Sequence, residues 1–320
     1  MSSQANQPLP EGHQLLNYRI LKVLAHGGFS FVYLAHDEHE MPVAIKEFLP
    51  STLALRGEGK IAPQIPEEHM STFRFGLKCF FEEGRALARL THPNVVRVLN
   101  FFRANDTVYM VMRYERGRTL QEHIRARSGR PMREIWIRQS FAFLLKGLRE
   151  VHTNKLLHLD IKPGNIYIRN DGMPLLIDFG AARQTLTGET TMLPPMYTPG
   201  FASPEHHSRR EDLGPWSDIY SIGASMYACL ASAPPQPADQ RLEKDRLVPA
   251  RKGWAGKYSN DLLDIIDWSM RLDHMQRPQS VFALQKTLLG EKDPEYRGEA
   301  PILDQLKGAI LKFARRGEGS

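Results

Sequence analysis

The sequence contains few cysteines and no long apolar stretch. Only Cys79 and Cys229 occur among 320 residues, and they lie far apart. This spacing excludes a disulfide framework and a Cys-x-x-Cys metal site, and it favours a reducing compartment. The sequence has no run of about 18 apolar residues, so we predict no transmembrane span. The polar N-terminus lacks the apolar core of a signal peptide. We therefore expect a soluble, cytoplasmic enzyme.

Extreme composition is also absent. The chain is 42% hydrophobic and 24% charged, which excludes collagen-like, coiled-coil and fully disordered proteins. The formal net charge is +6 and the sequence pI is about 9.3. This mild surplus favours anionic partners, but it does not by itself indicate nucleic-acid binding, which we do not expect.

The first part of the chain has the pattern of a small sheet. Residues 1–17 are predicted to form a flexible tail. Alternating or continuous apolar segments predict five strands and helical spacing predicts one helix; these are strands at 18–24, 31–35, 43–46, 95–102 and 108–114, and a helix at 73–90. Residues 48–70 contain several prolines and glycines without a clear period, which predicts a long loop or insertion.

The second part of the chain is helical in pattern. Apolar residues recur at helical spacing in 136–153, 218–231 and 261–272. Residues 291–320 form a tail that includes a candidate basic amphipathic helix. A β-rich part (about 18–114) followed by an α-rich part (about 115–290) predicts an α+β fold with two lobes.

A turn of small residues separates the first two strands. Such a turn allows backbone N–H groups to close over phosphates, although a hairpin turn without a ligand is the commoner structure for Gly-Gly. The candidate phosphate-binding residues are Leu24, Ala25, His26, Gly27, Gly28, Phe29, Ser30, Phe31 and Val32.

Lys46 ends the third strand and is the candidate partner of the nucleotide phosphates. Glu83, on the helix predicted at 73–90, is the candidate carboxylate that steadies the lysine. Glu82 would face about 100° away on the same helix, which predicts a surface position.

The strongest motif is His158-Leu159-Asp160-Ile161-Lys162-Pro163-Gly164-Asn165. In one tight loop, Asp160 can accept the proton of an attacking hydroxyl, Lys162 can contact the γ-phosphate, and Asn165 can hold a metal ion. Asp178 follows an apolar strand and precedes Phe-Gly, which makes it the second candidate ligand for Mg²⁺.

Two further segments indicate architecture. Glu205, which ends the segment from Thr198, is predicted to form a buried ion pair with Arg277. Asp218 is predicted to accept hydrogen bonds from the backbone of the loop that carries Asp160.

In this order the segments resemble the bacterial eukaryotic-like (Hanks-type) serine/threonine protein kinases, over about residues 18–290. The resemblance implies the bilobal protein kinase fold, with ATP and Mg²⁺ bound between the lobes. It also implies that serine and threonine side chains of proteins accept the phosphate, that the chain phosphorylates itself, and that it acts in signal transduction. It also implies that Val32 and Ala44 cover the adenine, that Met112 is the gatekeeper, that Arg113 and Tyr114 begin the hinge, and that Tyr167 lies beneath the base.

The sequence departs from the family pattern in the turn and in two other places. Ala25 and Ser30 replace glycines of the usual turn, and Tyr167 replaces a leucine or similar residue. Leu159 replaces an arginine that, in relatives, requires a phosphate on the activation segment. We therefore expect activity that does not depend on phosphorylation between Asp178 and Glu205.

Alternatives remain at this point. A pseudokinase that binds nucleotide and signals by conformation would fit the altered turn, Leu159 and Tyr167, and a small-molecule kinase could use the same fold. The insertion at 48–70 is either a disordered surface loop or a regulatory or docking element. The C-terminal basic helix either packs on the second lobe, serves as a linker, or associates with a membrane, which is the less favoured outcome.

Overall fold

The computed structural model describes residues 6–179, 197–207 and 212–290. Nine strands and eight α-helices lie in this part of the chain. The strands are β1 (Gln14–Leu15), β2 (Tyr18–His26), β3 (Ser30–His36), β4 (Pro42–Phe48), β5 (Val98–Ala104), β6 (Thr107–Arg113), β7 (Gly117–Thr119), β8 (Ile166–Arg169) and β9 (Pro174–Leu176). The helices are α1 (Met70–Ala88), α2 (Leu120–Ala126), α3 (Glu134–Thr153), α4 (Pro215–Ala231), α5 (Ala238–Glu243), α6 (Ala250–Gly253), α7 (Asn260–Ser269) and α8 (Val281–Leu288).

The first lobe is a six-stranded antiparallel sheet in the order β1-β2-β3-β4-β6-β5. Strand β3 shows why the segment is extended, because Phe31, Tyr33 and Ala35 alternate with less buried residues. Helix α1 packs against β5 and β6 and buries apolar positions at helical spacing. At Gly76 this helix approaches β4 so closely that a Cβ would lie 2.5 Å from the ring of Phe48.

The second lobe is helical and carries a small sheet in the order β7-β8-β9. Helix α4 is almost entirely buried and packs on α7 and α3. Helix α2 begins with a capping box between Thr119 and Glu122, which satisfies the first free N–H groups of the helix. The predicted α+β architecture with a β-rich first lobe and a helical second lobe is confirmed. Within the described ranges, no helix is long and apolar enough to cross a bilayer.

The N-terminal segment differs from the flexible tail expected over residues 1–17. From Asn6 onward it lies against the first lobe, with Leu9 and Leu15 each 2% exposed. Leu15 pairs with Tyr18 in β1 and β2, and Gln7 N donates to Arg56 O at 3.0 Å. The segment is ordered because its two leucines complete the apolar core beside the sheet.

The insertion at 48–70 is also ordered, so it is not the disordered loop that one alternative assumed. Arg56 lies in its middle and is 0% exposed. Its guanidinium donates to both oxygens of Glu47 at 2.6 and 2.7 Å, and to Tyr33 Oη at 3.0 Å. The hydroxyl of Tyr109 donates to Glu47 as well, at 2.8 Å. A buried, bidentate ion pair thus fixes the insertion to the sheet.

Candidate active site

A cavity of about 480 Å³ opens between the two lobes. Eleven of the residues predicted to bind nucleotide, metal or phosphate line it together: Leu24, Ala25, Val32, Ala44, Lys46, Glu83, Met112, Tyr114, Asn165, Tyr167 and Asp178. Strands β2, β3 and β4 contribute the first five of these residues, and the second lobe contributes the last three. Side chains from distant parts of the sequence therefore meet at one site.

The turn from His26 to Ser30 joins the end of β2 to the start of β3. Gly27 N donates to Ser30 O at 3.0 Å, which closes the turn. A Cβ on Gly27 or Gly28 would meet nothing within 4 Å, so both glycines face open space. The insertion holds the turn from outside: Ser51 N and Ser51 Oγ donate to Gly28 O at 2.8 and 3.1 Å, and Leu49 N donates to Phe29 O at 2.9 Å.

Phe31, a predicted nucleotide contact, is directed away from the cavity. Side chains alternate along β3, so Val32 lines the cavity while Phe31 packs on the opposite face. There its ring is stacked on Tyr33 and lies 5.9 Å from the guanidinium carbon of Arg56. His26 stacks on Phe31 and belongs to the same side of the hairpin.

Lys46 forms an ion pair across the cavity. Its Nζ lies 2.6 Å from Asp178 Oδ1, and the lysine is 6% exposed. Glu83 projects from α1 into the same cavity and is 2% exposed. The cation expected to contact phosphates and the carboxylate expected to hold metal are thus neighbours, and the pairing of Lys46 with Glu83 stays a prediction.

Three neighbours fix the carboxylate of Asp160. Lys162 Nζ donates to Asp160 Oδ2 at 2.7 Å, and Asn165 Nδ2 donates to the same oxygen at 2.9 Å. The hydroxyl of Thr198 donates to Asp160 Oδ1 at 2.9 Å and accepts from Lys162 Nζ at 2.6 Å. Both oxygens are therefore held in one orientation beside a cation.

Sequence reasoning placed Thr198 in an architectural segment and missed its contact with Asp160. The two residues are 38 positions apart, so no local pattern connects them. The one feature of the sequence that could have indicated this contact is chemical. Thr198 carries a hydroxyl, directly precedes Pro-Gly and belongs to a segment already assigned to the same lobe as Asp160.

The backbone of the loop before Asp160 is held by α4. Leu159 has a φ of 61°, a left-handed conformation that costs about 1–3 kcal/mol in a residue other than glycine. Asp218 Oδ1 accepts from Leu159 N at 2.8 Å and Oδ2 accepts from His158 N at 2.9 Å, as predicted. Burial alone would raise the pKa of Asp218, but hydrogen bonds from His152 and the backbone outweigh it and lower the pKa.

A second contact to Leu159 comes from His206, which sequence reasoning did not single out. His206 Nε2 lies 3.2 Å from Leu159 O, and Nδ1 lies 2.7 Å from Ser203 Oγ. Burial disfavours the charged imidazolium and lowers the pKa of His206. The neutral ring therefore joins the segment after Thr198 to the loop that carries Asp160.

The predicted ion pair between Glu205 and Arg277 is present. Arg277 donates to the two oxygens of Glu205 at 2.7 and 3.0 Å, and Ser217 Oγ donates to Oε1 at 2.8 Å. Burial acts to raise the pKa of Glu205, but the hydrogen bonds and charge of Arg277 lower it overall. Through Ser217, Glu205 also connects the segment that follows Thr198 to the start of α4.

Tyr167 occupies the floor of the cavity on β8. Its hydroxyl donates to Glu115 O at 3.4 Å, and burial raises its pKa, so the ring is neutral at physiological pH. Gly180 and the threonines Thr185, Thr187, Thr190 and Thr191 lie outside the described residues, as does the basic helix expected after Gly290.

Comparisons with known proteins agree with this geometry. The protein kinase domain model matches residues 18–289. Serine/threonine-protein kinase C of Synechocystis sp. is 29% identical over 304 residues, which cover 90% of this chain and 53% of that protein. Serine/threonine-protein kinase PrkC of Bacillus subtilis is 28% identical over 68% of this chain and 31% of its own length.

Solved structures agree with the fold. The structure titled PpkA-294 apo form has a TM-score of 0.78 and 32% identity, and the match covers 88% of this chain and 99% of that one. The PknI kinase domain of Mycobacterium tuberculosis, at 20% identity and a TM-score of 0.67, shares the fold over 89% of this chain and all of its own. The chain spans about half the length, or less, of the curated relatives named above. It belongs to the protein kinase domain family and contains a kinase domain of the bacterial serine/threonine type.

Proposed function

We propose that this chain transfers the γ-phosphate of ATP to serine and threonine hydroxyls of proteins, itself included. The orientation of Asp160 by Lys162, Asn165 and Thr198 at the edge of the cavity carries this proposal. Phosphoryl transfer needs positioning and charge balance more than covalent chemistry, and this cluster supplies both. Asp160 receives the proton of the acceptor hydroxyl, and Lys162 balances charge on the transferred group.

The remaining cavity residues fit a nucleotide with its metal. Val32, Ala44, Met112 and Tyr167 form apolar walls, and Lys46 supplies a buried cation for phosphates. Tyr114 and Ala25, which directly precedes the turn, complete the cavity wall expected around the base and the phosphates.

The family uses ATP with a divalent metal, and the donors here suit Mg²⁺. Asn165 commits its Nδ2 to Asp160, which leaves Oδ1 as a ligand, and the Asp178 side chain is 44% exposed. In the described ranges no group of three or more His, Cys, Asp or Glu forms a metal site. Mg²⁺ accepts few protein oxygens and takes phosphate oxygens and water as its other ligands, where it neutralises phosphate charge.

The test is phosphate transfer from labelled ATP by the purified chain, with a basic acceptor protein and the chain itself as substrates. We expect Asp160→Asn to lower the rate at least about 100-fold, because a positioned acid or base contributes on the order of 10²–10⁴. Asp106→Asn, in an exposed hairpin turn, is the matched control and should retain wild-type activity.

Equal melting temperatures would show that Asp160→Asn is folded. Substantial transfer by folded Asp160→Asn would contradict the assignment. ATP binding without transfer by the wild type would support the scaffold alternative, and transfer to sugars or aminoglycosides but not to protein would support a small-molecule kinase.

A further inference from the structure

Most of the net positive charge of this chain comes from one stretch that passes beside the cavity. The stretch 113–133 holds seven arginines against two glutamates and no lysine or aspartate, which leaves a net charge of +5 out of the +6 of the whole chain. This stretch runs from the end of β6 through β7 and α2 to the start of α3. The rest of the chain is therefore almost neutral.

Four of these arginines are exposed around the mouth of the cavity, and we name them the arginine rim: Arg113, Arg116, Arg118 and Arg125. Arg113 lines the cavity itself. Glu122 also lines the cavity. Hydrogen bonds from Thr119 lower the pKa of Glu122, and the nearby charge of Arg118 lowers it further. Arg125 follows Glu122 by three residues in α2, so the two side chains share a face of the helix.

The two glutamates of the stretch are engaged by other groups. Glu115 lies 3.8 Å from Arg169, and Glu122 accepts from the backbone N–H and the hydroxyl of Thr119 at 2.7 and 2.8 Å. Glu115 thus pairs with a cation outside the rim, whereas Thr119 offers Glu122 neutral donors, so Glu122 keeps its charge beside Arg118 and offsets one of the four positive charges. The rim presents a positive surface to whatever approaches the cavity.

The arginine rim is tied to the loop that holds the catalytic candidates. Gln121 N donates to Pro163 O at 3.0 Å, and Thr119 pairs with Tyr167 in the β7–β8 ladder. Pro163 follows Asp160 by three residues. A peptide whose hydroxyl reaches Asp160 therefore passes close to these arginines.

We propose that the arginine rim selects protein substrates that carry acidic side chains near the serine or threonine acceptor. The inference rests on the proposed kinase function and names the substrate class of the same site. Arginine suits this task because its planar guanidinium binds carboxylates and phosphates in a bidentate manner. An acidic segment would be steered to the cavity and would lose this advantage at high salt, where charges are screened.

The experiment compares two peptides that share one serine acceptor. One carries three glutamates and one aspartate around the serine, and the other carries glutamine and asparagine at the same positions. At low salt we expect kcat/KM to be at least about fivefold higher for the acidic peptide, a modest factor that suits a few exposed charge pairs. The advantage should shrink to less than about twofold in 0.5 M NaCl.

The variant Arg118→Glu/Arg125→Glu should reduce the preference to less than twofold, whereas Arg118→Lys/Arg125→Lys should retain part of it. The control is Arg74→Glu, a charge reversal at an exposed position of α1. It should retain the wild-type preference.

A wild type without preference, an unchanged preference in the double glutamate variant, or an equal loss in Arg74→Glu would overturn the proposal. Binding of the same fluorescent peptides to the chain, measured by anisotropy, distinguishes this failure from failure of the kinase function. If no peptide is phosphorylated but the acidic one binds through the rim, only the kinase function fails. If the double variant loses binding to phosphatidylserine vesicles or poly(U) RNA and not to the acidic peptide, the rim serves another anion and the proposal fails.

Discussion

The substitution Arg56→Met tests whether one buried ion pair holds the insertion on the first lobe. The side chains of Arg56 and Glu47 are both 0% exposed. Arg56 also donates to Gln7 O at 2.8 Å and Ile61 O at 3.3 Å, so one guanidinium connects the N-terminal segment, the insertion and β4. Methionine retains much of the volume and removes every one of these donors.

The expected cost follows from the state of Glu47 in the variant. Its carboxylate stays fully buried, with the hydroxyls of Tyr33 and Tyr109 as its remaining partners in the described part of the chain. Breaking a buried pair in this way costs about 3–5 kcal/mol of unfolding free energy. A loss of this size lowers the melting temperature on the order of 10 °C. Glu47→Gln/Arg56→Met should be less destabilised, because no charge is left buried without its cation.

Urea unfolding at neutral pH measures these free energies. Arg251→Met is the matched control: Arg251 pairs with Asp264 at 3.2 Å where both side chains are well exposed, and its loss should cost about 0–1 kcal/mol. Hydrogen exchange over 48–70 should accelerate in Arg56→Met and stay unchanged in the control. A cost for Arg56→Met no larger than that of the control, with slow exchange preserved, would refute the reasoning.

Two further predictions concern the loop that carries Asp160. Leu159 stands where an arginine would need a phosphate to balance its charge, so activity should not depend on phosphorylation of the segment after Asp178. Alanine at all four threonines of that segment should leave the transfer rate within a few-fold of wild type, and a collapse of the rate would contradict this. The four are Thr185, Thr187, Thr190 and Thr191. The lowered pKa of His206 means that the folded state resists protonation below the unfolded value of about 6.5. The unfolding free energy should therefore fall as pH drops from about 6.5 towards the folded pKa, and His206→Gln should make this fall shallower in urea titrations at pH 7.5, 6.5 and 5.5; an equal slope would exclude His206 as a contributor.

The elements that sequence predicts well are those with local causes. Alternation placed β3 and β4 to within two residues at each end, and helical spacing placed α1 and α3 to within three. The motif around Asp160 predicted which side chains meet, because residues two to five positions apart in a tight loop are also close in space. Lys46 and Asp178 were placed in one site by chemistry, although they are 132 positions apart.

The features that escaped prediction depend on partners distant in sequence. Arg56 looks like a solvated residue in a loop of prolines and glycines, and only the fold reveals Glu47 as its buried partner. Leu9 and Leu15 lack a periodic context, so their burial could not be inferred from their neighbours. Phe31 was assigned by its place in a motif, whereas strand alternation decides its direction.

The hydrogen bonds that Ser51 and Leu49 make to the turn also set the direction of its amide groups. In a trans peptide the C=O and the next N–H point in opposite directions. Because Gly28 O and Phe29 O face the insertion, the N–H groups of Phe29 and Ser30 are turned away from it. An anion that enters this turn therefore meets fixed N–H dipoles with the carbonyl oxygens already turned aside. A sequence outside the turn thus sets the polarity of the turn's inner surface, and a change in the insertion can alter phosphate affinity without any substitution in the turn itself.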